Sequence, residues 1–253
     1  MFIFLCVEEV SWRNDLRIAA VGDIHSPRYL DLYISALKDI SWRDAEILIF
    51  AGDVIYKGSV NEYRRVLDHT KKFFDKTIVS IFGNEEYESV EEQLIELCPE
   101  IIWLREEGRV FSLNGIRVGI WGTRGVLDRP TRWQRRNIPG IYTIYQKRLR
   151  EMFEGLKRLR KTCDVLILVS HYAVTYETLE GEDRRIWPEL GSRRVERILA
   201  EIGVDLAIHA HAHRSKVSEV KKGATRIFNV SLPALQKISL ISLEKRGLLQ
   251  YFG

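Results

Sequence analysis

The chain has 253 residues, 45% of them hydrophobic and 29% charged, with 17 Gly, 6 Pro and 3 Cys and a formal net charge of +4. That composition excludes disordered, collagen-like and coiled-coil readings, and a chain of this length buries roughly three quarters of its unfolded surface without needing a staple. Cys6, Cys98 and Cys163 are odd in number, far apart and free of any C-x-x-C spacing, which argues against a disulfide framework or a cysteine zinc site and for a reducing, cytoplasmic compartment.

Residues 1–7 are apolar but short, lack a basic start and run into Glu8 and Glu9, a poor match to a signal peptide. No stretch approaches the roughly 18 apolar residues of a membrane span, so no membrane partner is expected. Beyond them, short apolar runs alternate with longer amphipathic ones, the signature of an α/β layered domain. Strands are expected at 17–22, 46–52 and 77–83, and helices at 27–39, 59–74 and 89–97. Each of these strands closes on a glycine and is followed by polar residues, and in open α/β sheets ligands gather beyond the carboxyl ends of strands. The second half changes rhythm. Segments 101–104, 109–113 and 116–122 read as a hairpin run with Asn114-Gly115 as a two-residue turn. A strand-free loop at 123–140 leads to a long basic helix at 141–161, followed by a strand at 164–170, a helix at 188–202 and a strand at 204–209. Three further strands are expected at 216–220, 224–230 and 237–243. With no repeat, low-complexity linker or composition break, one domain over 1–253 with two sheets is the economical expectation.

Five of the six histidines, His25, His171, His209, His211 and His213, fall at expected strand ends; His69 falls within a helix, where a surface role suffices. Asp23, Asp53 and Asn84 each follow a strand-closing glycine. Singly, each has an ordinary explanation, since Asp or Asn after a strand caps a helix or makes a turn. Together they would crowd donors and like charges at one sheet edge unless a cation held them. Residues i and i+2 of an extended chain point the same way, so Asp23 with His25, and His211 with His213, can converge on an ion. A carboxylate such as Asp53 can bridge two cations about 3.5–4 Å apart, the separation used by two-metal hydrolases. Imidazole, carboxylate and amide ligands suit manganese first, with iron, zinc or nickel as alternatives. His209 is a rival ligand, but the apolar run 204–208 ends just before it, and it is placed behind the ligands.

Gly22-Asp23-Ile24-His25, Gly52-Asp53-Val54-Ile55-Tyr56-Lys57-Gly58, Gly83-Asn84-Glu85-Glu86, Ser170-His171 and Ala210-His211-Ala212-His213 stand in the order and approximate spacing of the calcineurin-like metallophosphoesterases. The chain resembles that family from about residue 17 to 243. The resemblance implies a four-layer sandwich of two mixed sheets flanked by helices, and hydrolysis of a phosphate ester by water activated at a two-metal centre. It implies that Asp23, His25 and His213 hold one metal, that Asn84, His171 and His211 hold the other, and that Asp53 bridges; Asp53, Asn84, Glu85 and His171 are the expected catalytic set. Two residues depart from the pattern. Ala210 stands where the family usually has glycine, a small change. Glu85 stands where the family has a histidine thought to protonate the leaving group or steady the phosphate. A glutamate beside two dications would be ionised and a poor proton donor. It would instead ligate metal, bond a ligand hydroxyl, or mark a lost activity.

Residues 124–161 hold twelve Lys or Arg and three Asp or Glu, a net +9, so the rest of the chain carries 4 − 9 = −5. On the helix, exposed basic residues need no further explanation than solubility. The loop is different: Arg124, Arg129, Arg132, Arg135 and Arg136 surround Trp133 within thirteen residues. Arg recognises phosphate bidentately and Trp offers a stacking face, so Arg124, Arg132, Trp133, Arg135 and Arg136 are the expected substrate-binding residues, with a Trp133-centred homodimer contact as the opposing use. The preferred function is a phosphodiesterase acting on nucleotide or nucleic-acid substrates. A phosphomonoesterase of small metabolites is the second reading, and a metal-binding interaction scaffold weakened by Glu85 is the third.

Overall fold

The computed structural model describes residues 16–243; Cys6 and the expectation for residues 1–7 lie outside them. In chain order the strands are β1 (Leu16–Val21), β2 (Ile47–Phe50), β3 (Thr77–Ser80), β4 (Ile102–Trp103), β5 (Glu107–Leu113), β6 (Ile116–Thr123), β7 (Val165–Ser170), β8 (Leu206–His209), β9 (Glu219–Lys222), β10 (Thr225–Asn229) and β11 (Ser239–Leu243). The helices are α1 (Leu30–Asp39), α2 (Val60–Thr70), α3 (Glu91–Leu97), α4 (Arg132–Asn137), α5 (Ile141–Arg160), α6 (Arg193–Ile202) and α7 (Leu232–Leu235).

The strands form two mixed sheets, one ordered β11-β1-β2-β3-β4 and the other β5-β6-β7-β8-β10-β9. Strand residues alternate between faces, and both faces of the central strands are buried, so these strands are continuously apolar. Ile47 and Ile49 of β2 enter the layer between the sheets with Val118, Ile120, Ile167 and Val169 of the second sheet. Leu48 and Phe50 point the other way, against Tyr33 and Leu37 of α1 and Tyr63, Val66 and Leu67 of α2. On the far side Leu166 and Leu168 pack against Met152 and Leu156 of α5 and Val195 and Leu199 of α6. Three apolar layers between four layers of secondary structure give the α/β sandwich. Helix α2 shows the matching sequence logic: its buried residues Tyr63, Val66, Leu67 and Thr70 lie at i, i+3, i+4 and i+7. Helix α5 lies close enough to its sheet that a Cβ on Gly155 would fall 1.9 Å from Trp121 Cζ3.

Several expectations are corrected. Segment 101–104 does not join the hairpin; it supplies β4, which runs parallel to β3 in the first sheet. The hairpin is β5-β6 alone, turning through Asn114 (φ 49°) and Gly115 (φ 75°), the double positive φ of a two-residue turn. The 123–140 segment is not all loop. Thr131 and Gln134 form a reciprocal capping box that starts α4 at Arg132. The helix expected at 188–202 is divided: a 3-10 turn at Arg184–Glu189 contains Pro188, and α6 begins only after the Ser192 cap. Strands β9, β10 and β11 start one to three residues later than expected. Among the described residues no helix is long and apolar enough to cross a membrane.

Candidate metal centre

Strands β1, β2, β3, β7 and β8 run parallel within their sheets, and the chain leaves their carboxyl ends carrying Asp23, Asp53, Asn84, His171 and His211. Backbone bonds tie these exits together: Asp23 N donates to Gly52 O (3.0 Å), His25 N to Asp53 O (2.9 Å) and Ala210 N to His171 O (3.1 Å). Asp23, His25, Asp53 and His211 all have positive φ, between 44° and 69°. A non-glycine residue in that region costs on the order of 1 kcal/mol or more and persists where its surroundings over-determine it, so four together mark a functional site. Gly83 is required for a different reason: a Cβ there would fall 2.1 Å from Asp53 Oδ1.

The side chains converge as two groups, Asp23, His25 and His213, and Asp53, His171 and His211, with the candidate ligand atoms of each group within 4.8 Å of one another. In the first, His213 Nε2 lies 3.4 Å from Asp23 Oδ2 and 3.3 Å from His25 Nε2. In the second, His171 Nε2 lies 3.3 Å from Asp53 Oδ2 and 3.1 Å from Asn84 Oδ1. Asp53 Oδ2 is also 3.8 Å from His25 Nε2, so this one oxygen faces both groups. All seven expected ligands are thus brought together.

These residues fit divalent cations. Asp23 Oδ1 is buried with no hydrogen-bond partner, and so are the Nδ1 atoms of His25 and His211. A buried carboxylate oxygen in that state is costly unless a cation completes it. Burial opposes ionisation of Asp23, yet His213, with His171 and His25, holds its carboxyl well below the usual carboxylate range. Burial likewise opposes charge on His171, but Asp53, Asp23 and the Ala51 carbonyl together outweigh it and push the imidazole up to about 9. Burial pushes His211 down to about 3. His209, also buried, is pushed down to about 4. Both its nitrogens are engaged, Nδ1 with Ala210 O (2.8 Å) and Nε2 with Thr178 Oγ1 (2.7 Å), which leaves none for a metal.

Glu86 is the residue that sequence reasoning missed. It is fully buried and its carboxylate accepts from Gly83 N (2.7 Å), Asp53 N (2.7 Å) and Ile55 N (3.1 Å), clamping two ligand-bearing loops together. Burial and then the Asp53 charge push it up to about 7. Of the roles expected of Glu85, ligation of metal is not what its carboxylate does, since it stands outside both ligand groups. Its backbone N–H donates to Asp53 Oδ1 (2.7 Å), and its carboxylate accepts from Lys57 N (2.7 Å), which spans the turn after Asp53 rather than reaching a metal group.

Beside the centre opens a cavity of about 790 Å³ whose lining includes Asn84, Glu85, His211, Arg124 and Trp133. Arg124 is already engaged, donating to Glu86 O and Glu91 Oε1 at 2.7 Å each, with Glu88 at 3.6 Å. Arg132, Arg135 and Arg136 are exposed on α4 and do not line this cavity, so the structure does not bring them to the centre. Part of the basic segment is also neutralised: Arg129 pairs with Glu189, Arg148 with Glu106 and Arg160 with Asp205.

The family model for calcineurin-like phosphoesterases matches residues 16–215. The chain therefore belongs to that family, a class of metal-dependent phosphoester hydrolases. No curated protein sequence matches it significantly. Solved structures share the fold at low identity. A phosphopantetheinyl hydrolase from Mycobacterium tuberculosis is 16% identical with a TM-score of 0.66, covering 86% of this chain and 89% of that one. A dimetal phosphatase from Danio rerio is 11% identical at TM-score 0.53, covering 85% and 86%. GAP50, the anchor in the inner membrane complex of Plasmodium, is 15% identical at TM-score 0.58, covering 92% and 75%.

Proposed function

We propose that the protein is a phosphodiesterase whose centre holds two divalent cations, manganese by first preference, with Asp23, His25 and His213 on one, Asn84, His171 and His211 on the other, and Asp53 between them. The observation that carries this reading is Asp53 Oδ2 facing both ligand groups. The chemistry such a pair supplies when bound is a water of lowered pKa, an oriented phosphate and neutralised charge as the ester bond breaks. The chain's own part is geometric. Glu86 fixes the backbone of Asp53 and Gly83, and Glu85 N holds the second Asp53 oxygen. With a glutamate where the family has a histidine, and one of its oxygens held by Lys57 N, the reading favours substrates with good leaving groups.

Charge supports a diester. A phosphomonoester carries about −1.5 to −2 at neutral pH and a diester only one negative charge. The cavity beside the centre is lined by Glu85 and Glu88 and by Arg124 and Arg148, and both arginines are already paired, Arg124 with Glu91 and Glu88 and Arg148 with Glu106. That lining suits the less charged ester, and the cavity gives room for its second substituent. It suits the many phosphates of a nucleic acid less well, since the exposed arginines lie away from it. The buried free thiols of Cys98 and Cys163 fit a reducing compartment such as the cytoplasm.

The test is metal analysis of manganese-reconstituted protein, followed by parallel assays on bis(p-nitrophenyl) phosphate and p-nitrophenyl phosphate. Two metals per chain and a kcat/KM at least tenfold higher for the diester are expected, with Asp53→Asn reducing turnover by roughly a hundredfold or more. A preference for the monoester, or full metal occupancy with no turnover of either, overturns the proposal.

A further inference from the structure

The cavity beside the centre is built for an apolar group. Its floor reaches the metal-ligand residues Asn84 and His211, and its volume, about 790 Å³, falls in the range of small-molecule sites. The corner between α4 and α5 supplies much of the wall through Trp133, Ile138, Pro139, Ile141 and Ile144, with Leu127 beside them. Trp133 keeps 63% of its surface exposed, and with the neighbouring apolar side chains it forms a continuous apolar lining.

Glu85, Tyr87, Glu88 and Ser89, from the segment after β3, line the cavity as well, but on the α4–α5 side the polar groups are largely engaged with one another. Gln134 Oε1 accepts from Thr131 N (2.9 Å) and Tyr145 Oη (3.1 Å), and its Nε2 donates to Tyr172 Oη (3.0 Å). Thr131 Oγ1 accepts from Gln134 N (3.2 Å), and Asn137 Nδ2 donates to Trp133 O (2.8 Å). Arg148 is held by Glu106 Oε1 and Gly125 O, both at 2.8 Å. Arg124 is likewise bound, and only its buried Nε lacks a partner. A nucleobase is recognised by several unpaired donors and acceptors, and a polar edge placed against groups already satisfied is left desolvated without compensation.

We infer that the substrate of this centre is an amphiphilic phosphoester, whose alkyl or aryl alcohol enters the α4–α5 cavity while its phosphate lies at the metal-ligand groups. The inference rests on the diesterase reading above and names the substrate class for the same site. It places the apolar substituent next to Asn84 and His211, and it makes Ile144, on the α5 wall, a specificity-determining residue.

The experiment uses full-length, manganese-loaded protein and the monoanionic methyl alkylphosphonates with chains of one, six and ten carbons, kept below their aggregation limits, with the methyl phosphonate ester of thymidine as polar comparator. Calorimetry is expected to show affinity rising about threefold for each methylene taken into the cavity, with the thymidine compound weaker than the decyl one. Ile144→Asp should flatten the series, and Ile144→Val should retain most of it. Val110→Asp, at an exposed position on β5, should leave the series as in the unaltered protein. Equal affinity across the chains, or tighter binding of the thymidine compound, overturns the inference. Bis(p-nitrophenyl) phosphate turnover is followed in the same preparations. Turnover without chain dependence defeats the amphiphile assignment alone, whereas chain-dependent binding without diester turnover defeats the diesterase reading and leaves the cavity assignment standing.

Discussion

Glu86 shows how much of this site is organised by a residue that touches no substrate. Three backbone N–H groups from two loops end on one buried carboxylate, and removing that acceptor would leave all three donors unsatisfied. Glu86→Gln keeps the shape but sets an amide NH2 against one or more of those donors. It is expected to lower stability by about 1–3 kcal/mol and metal affinity by roughly tenfold, measured by denaturant unfolding and by metal titration. An unchanged metal affinity would show that Asp53 and Gly83 hold their places without the clamp. The candidate ligands themselves are legible in the sequence, because Asp23, Asp53, Asn84, His171 and His211 each closely follow a β-rich run. Glu86 is not, because its work is to gather backbone donors from separate segments, and no spacing in the sequence reports which N–H groups will meet.

At the scale of elements, the central strands announce themselves by continuous apolar runs and the Asn114-Gly115 hairpin by its turn chemistry. Helix α4 is less evident because it is short and strongly basic, yet Thr131 and Gln134 carry a capping-box signal three residues apart. Reading the segment as loop overlooks that signal, and it changes which side chains reach the site: one face of α4 sends Trp133 and Gln134 to the cavity while Arg132, Arg135 and Arg136 stay in solvent. The seating of α5 gives the prediction at this scale. Since a Cβ at position 155 would overlap the Trp121 ring, Gly155→Ala should destabilise the fold by about 1–3 kcal/mol despite the better helix propensity of alanine, which thermal unfolding would detect. A rise in melting temperature would mean that α5 can shift outward freely.

For the whole molecule, Asp128 links the segment after β6 to the start of α6, accepting from Ser192 Oγ (2.6 Å), Tyr176 Oη (2.8 Å), Arg193 N (2.9 Å) and Arg194 Nε (3.2 Å). Partial burial works against its ionisation, but these bonds, Ser192 foremost, hold its pKa below the ordinary carboxylate value. The stability it contributes is therefore fully present above the unfolded value of about 3.9 and is lost as pH falls through its lower folded value. Asp128→Asn should be less stable by about 1–2 kcal/mol at pH 7, with the difference closing as pH drops below about 4. A difference that stayed constant down to pH 2, followed by circular dichroism, would remove the charge from the explanation.

The two candidate ligand groups do not divide along the boundary between the sheets. Asp23, His25, Asp53 and Asn84 leave the first sheet, His171, His211 and His213 leave the second, and each group draws on both. Occupancy of either position is thus a fastening across the seam, added to the apolar layer that already joins the two halves. A ligand that binds the folded chain alone stabilises it by about 2.7 kcal/mol at a hundred times its dissociation constant, and here that gain is delivered at the mouth of the sandwich, where the apolar layer ends. Metal supply would then govern how tightly the open edge of the molecule is held shut as well as whether the centre can work.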